Sequence, residues 1–98
     1  MAKTPPVSRE SAESLAVQAL AFLASDSDRL GRFLAETGIA PDAIRTAAGE
    51  PGFLMGVLDH VLADERLLIA FADGAGVAPE EIGRARAGLG RPYERDIP

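Results

Sequence analysis

The chain has 98 residues, with 15 acidic and 10 basic side chains, a net charge of −5, one histidine and no cysteine. That length makes one domain the expectation, and its 27 large apolar residues (Leu, Ile, Val, Met, Phe) suffice for a folded core. The missing cysteine excludes disulfide scaffolds, thiol catalysis and thiolate metal sites, and the acidic balance argues against loose attachment to nucleic acid or anionic lipid.

Eighteen alanines and 11 leucines against 13 β-branched residues favour helix over sheet. Pro41, Pro51 and Pro79 each open a helical pattern, where the missing N–H costs nothing. Gly38, Gly49, Gly74 and Gly76 each follow one, where a left-handed cap is wanted. Residues 1–7 read as a flexible lead-in. The first helix is predicted from Arg9 to Ala24, capped by Ser8, with Leu15, Ala19, Phe22 and Leu23 inward; its other face is also apolar, which makes it the expected central helix. Ser25 and Asp28 have the spacing of a capping box for a second helix, Ser27 to Thr37, that buries Leu30, Phe33 and Leu34.

A short third helix, Pro41 to Ala48, turns Ile44, Ala47 and Ala48 inward. The fourth, from Pro51 to about Leu62, carries Leu54, Val57, Leu58, Val61 and Leu62 at full amphipathic spacing. Asp64 caps a fifth that buries Leu67, Leu68 and Phe71, and a sixth starts at Pro79 with Ile82, Ala85 and Leu89 inward. Residues 8–89 form a single helical domain in this reading, and 90–98 lose periodicity and read as a flexible tail. The apolar run Leu15 to Ala24 has about half of the ~20 residues a bilayer span needs, and the N-terminus has no signal-peptide pattern, so the expected location is the cytoplasm.

The two halves resemble each other. Gly38-Ile39-Ala40-Pro41-Asp42-Ala43-Ile44 returns as Gly76-Val77-Ala78-Pro79-Glu80-Glu81-Ile82, a spacing of 38 residues. Ile39 and Val77 stand five residues before Ile44 and Ile82, which is the spacing of a hydrophobic staple fixing how the chain turns into a helix. The expected fold is therefore all-α, a compact six-helix bundle built as two pseudo-repeated three-helix units.

Several segments carry a family resemblance: Ala19-Leu20-Ala21-Phe22-Leu23-Ala24, Asp28-Arg29-Leu30-Gly31-Arg32-Phe33-Leu34, Gly38-Ile39, Phe53-Leu54, Val57-Leu58, and the run from Leu62 through Phe71. In that order they resemble the bacterial domain-of-unknown-function family 3572. The resemblance implies a small, all-helical bacterial protein and brings no activity, cofactor or catalytic residue with it.

Reactive constellations are sparse. His60 stands four residues before Asp64, but two side chains do not make a zinc site, and a position at a helix C-terminus explains the histidine. Asp26, Asp28 and Gly31 match the opening of a calcium loop, yet Leu30 and Thr37 occupy later ligand positions. No nucleophile elbow or Walker loop occurs. No catalytic, metal or cofactor residues are assigned, and an enzyme is not expected. The leading expectation is a non-catalytic adaptor that binds a protein partner, or a second copy of itself, through Arg29, Arg32, Arg45 and Arg66. The alternative is a helix-turn-helix DNA reader spanning Ala72 to Leu89, with Arg84, Arg86 and Arg91 on the nucleic acid. Glu80 and Glu81 at the start of that reading helix, and the net charge, weigh against it.

Overall fold

A computed structural model describes residues 8–90. In chain order its helices are α1 (Arg9–Ala24), α2 (Ser27–Thr37), a 3₁₀ turn (Pro41–Ala43) running into α3 (Ile44–Ala47), α4 (Pro51–Leu62), α5 (Glu65–Ala75) and α6 (Pro79–Gly88). Among the described residues there is no strand, and no helix is long and apolar enough to cross a membrane. Among the described residues the fold is all-α with six α-helices, in line with the punctuation by proline.

α1 packs on four other helices, as a central helix should, but the most deeply buried side chains belong to α4. Phe53, Leu54, Met55, Val57, Leu58 and Val61 of α4 are all buried. On α1 the buried residues are Ala12, Ala16, Ala19 and Leu23, while Val17 is 52% exposed. An alanine stripe lets α1 lie against α4 and α6, and α1 also packs on α2 and α5, while Val17 turns to solvent between these contacts. Leu15 and Phe22, expected inward, are half-buried at the margin of that stripe. Phe22 packs against Phe71 of α5 with ring centroids 5.4 Å apart.

One helix start corrects the sequence reading and another agrees with it. Ser25 does not cap α2; its hydroxyl donates to the Phe22 carbonyl and it closes α1. Asp26 is the cap, accepting from the amides of Asp28 (2.9 Å) and Arg29 (3.4 Å), and Asp64 does the same for α5 with Arg66 (3.0 Å) and Leu67 (3.2 Å). A carboxylate can accept two amides at once, which the Ser25 hydroxyl, one residue too early, cannot reach. Three described glycines lie in the left-handed region, Gly38 at φ 75° after α2, Gly76 at φ 73° after α5 and Gly90 at φ 82° beyond α6, whereas Gly74 lies inside α5 and Gly49 has no positive φ.

Asp26 and Asp64, Gly38 and Gly76, and Ala40 and Ala78 are each 38 residues apart, and the local backbone follows: φ, ψ is −71°, 146° at Ala40 and −75°, 146° at Ala78. Beyond the corner the correspondence stops. The third segment is a 3₁₀ turn and one turn of α-helix with no buried residue, while α6 runs ten residues, buries Ile82 and Ala85, and packs on α1, α4 and α5. The predicted helix from Pro41 to Ala48 is thus half 3₁₀.

A charged groove at the α2, α4 and α5 junction as the candidate functional site

The two aspartate caps start helices that both border one groove. Asp26, Asp28, Arg29, Arg32 and Glu36 line it from α2 and its cap; His60, Ala63, Asp64, Glu65 and Leu67 line it from the α4–α5 corner, around a volume of about 590 Å³. The periodicity of α2 explains its share: Phe33 and, in part, Leu30 and Leu34 turn toward the core, so the charged residues between them border the groove.

His60 forms the floor. Its side chain is only 10% exposed, its ring stands edge-on to Phe33 with centroids 5.2 Å apart, and its Nδ1 lies 2.7 Å from Glu36 Oε1. A carboxylate can only accept, so Nδ1 carries the hydrogen that it donates to Glu36. Nε2 has no partner among the described residues, and no polar side-chain atom there is both buried and unpaired, so Nε2 reaches solvent. Asp64, four residues on in sequence, is occupied with the α5 amides as expected of a cap, and the partner of His60 is Glu36, 24 residues away.

The groove's charge is lopsided. Asp26, Asp28, Glu36, Asp64 and Glu65 face two guanidinium groups, Arg29 and Arg32. Arg29 is partly engaged over the Phe22 ring, 4.3 Å from its centroid, a contact of about 0.5–1 kcal/mol at a surface site. Asp26 and Asp64 each commit one oxygen to backbone amides, which leaves the other for a ligand. Chemically this is a recess for hydrogen-bond donors and positive charge, with an imidazole at its base. Among the described residues no three of these side chains stand close enough together to hold one metal ion.

Of the four arginines expected to form one contact surface, the fold brings two together. Arg29 and Arg32 line the groove; Arg45 is exposed beside Leu20 and Ile44 on another face, and Arg66 is exposed in the first turn of α5 without lining the groove. Sequence reasoning missed the carboxylates that outnumber them. The 38-residue recurrence of Asp26 and Asp64 was the available signal; Glu36 had none, because its partner arrives from a distant segment. In the alternative set, Arg84 is exposed on α6, while Arg86 is bonded to Asp59 (2.7 Å) and to the Gly90 carbonyl (2.6 Å), and Arg91 lies outside the described residues.

A family model described as "Protein of unknown function (DUF3572)" matches residues 9–92, and the chain belongs to this family. Neither the search of curated proteins nor that of solved structures gave a match.

Proposed function

We propose that this member of the DUF3572 family is a non-catalytic interaction module of the bacterial cytoplasm whose groove at the α2, α4 and α5 junction receives a basic segment of a partner protein. The observation that supports this reading is the excess of carboxylates over guanidinium groups around a nearly buried imidazole. An incoming lysine or arginine would meet the free oxygens of Asp26 and Asp64 and the side chains of Asp28 and Glu65, above the imidazole of His60 at the base. Charge-assisted bonds of this kind give register and orientation more than raw affinity, which suits an adaptor.

The DNA-reading alternative rests on the left-handed Gly76 corner between α5 and α6 and on exposed Arg84. It is the weaker reading, because Arg86 is already held by Asp59 and the Gly90 carbonyl. Affinity capture from a native lysate with the wild-type chain and with Asp28→Lys plus Glu65→Lys separates the two. The expected result is a basic partner retained by the wild type and lost by the variant. Capture that ignores the variant, or duplex DNA binding abolished by Arg84→Glu with Arg86→Glu, would overturn the adaptor reading.

A further inference from the structure

A second surface, away from the groove, has a charge pattern that fits itself. From Ser14 to Ala24, α1 carries no charged side chain, yet Val17 in its middle is 52% exposed. Two shallow depressions that share Ala48 flank this stretch. Toward the start of α1, one is bordered by Glu10, Glu13 and Val17; toward its end, the other is bordered by Leu20 and Arg45. Glu13 pairs loosely with Arg9 at 3.5 Å, whereas Glu10 and Arg45 have no ion pair among the described residues. Asp42, also at the Arg45 end, sits in the first turn of the 3₁₀ segment, where the free amides of a helix start favour it.

The face therefore carries two carboxylates at one end, no charge in the middle, and at the other end the guanidinium of Arg45 beside Asp42, with Glu10 and Leu20 about 15 Å apart along the helix. Such an arrangement is complementary to its own copy turned by a two-fold axis. We propose that a second copy of this chain covers the face, α1 against α1 in antiparallel sense, with the axis near Val17 and the Glu10/Glu13 end of one copy against Arg45 of the other. Val17 lies midway between Glu13 and Leu20, so the register that buries the exposed valine on its symmetry mate is also the one that matches the charges. The small side chains Ser14 and Ala21, both exposed on the same side, let the two helices approach closely.

Sedimentation of the 98-residue chain tests this with charge exchange. The wild type is expected to dimerise at micromolar concentration, and Val17→Glu to raise the dissociation constant about tenfold or more by placing two carboxylates on the axis. Arg45→Glu alone, and Glu10→Lys with Glu13→Lys alone, should each weaken the dimer about fivefold, and the combined triple variant should recover to within about twofold of wild type. All of these positions are at the surface, and an unchanged far-UV circular dichroism spectrum certifies folding; if Val17→Glu alone unfolds, the charge exchange still decides. A wild type that stays monomeric through the micromolar range, or a dimer whose affinity ignores the exchange, would overturn the proposal. Because no groove residue is altered, its failure leaves the adaptor reading untouched.

Discussion

The corners at 38–44 and 76–82 start alike and end differently. Each has a left-handed glycine, an extended alanine cap and a proline at the first helical position. After the second corner comes a ten-residue helix; after the first, a 3₁₀ turn and a single turn of α-helix. What differs is the stripe that follows. Ile82, Ala85 and Leu89 are all buried, so each added turn of α6 gains burial, whereas Ile44 and Ala47 are only half-buried and nothing apolar continues beyond Ala48 before Pro51 opens α4. A second difference reinforces the first: the Glu81 carboxylate accepts from the Ala78 amide at 3.3 Å, while Ala43 at the matching position has no acceptor. Ala78 has no side-chain oxygen to reciprocate, so this is half of a capping box. A corner sets how a helix begins; apolar burial sets whether it goes on.

Substitutions at matched positions can break that comparison. Ile82→Ala should cost about 3 kcal/mol of stability in urea denaturation, against about 1 kcal/mol for Ile44→Ala, because only the former empties a fully buried site. Equal costs would remove the distinction between the two stripes. Gly38→Ala and Gly76→Ala should each cost about 1–2 kcal/mol, since both glycines hold a φ near 75° that a Cβ disfavours. No neighbouring atom lies within 4 Å of a Cβ added at either, so the penalty is conformational and should match at the two sites. Asp26→Ala and Asp64→Ala should each lose about 1 kcal/mol through two amides left without an acceptor. Smallest is Glu81→Ala, at about 0.5 kcal/mol, with Ala43→Glu recovering a similar amount at the other corner if the alanine caps are equivalent.

Most of the fold was legible because its signals are local. Proline at a first turn, the Asp64 cap and the spacing of Leu54, Val57, Leu58 and Val61 act within one element, and the limits of α1, α2 and α4 agree with them. Burial depth was less legible: the apolar surplus of α1 pointed to the four helices it packs on, but not to which of its residues, Val17 among them, stay exposed. The candidate site was legible only in pieces. Arg29 and Arg32 stood out as outward charges, and His60 as a solitary imidazole, but the contact of His60 with Glu36 joins residues that no periodicity relates. Asp26 illustrates the limit at short range, since Ser25 has the more familiar spacing and a one-residue shift decided which side chain reached the amides.

Titration of the isotope-labelled chain with a short arginine-rich peptide, followed through backbone amide and His60 ring resonances, tests the central claim that the groove recognises positive charge. Saturable shifts are expected at Asp28, His60 and Glu65, weakening as salt rises and absent from Asp28→Lys with Glu65→Lys. Equal shifts with a glutamate-rich peptide, or changes confined to α6 and the outer side of α1, would contradict it.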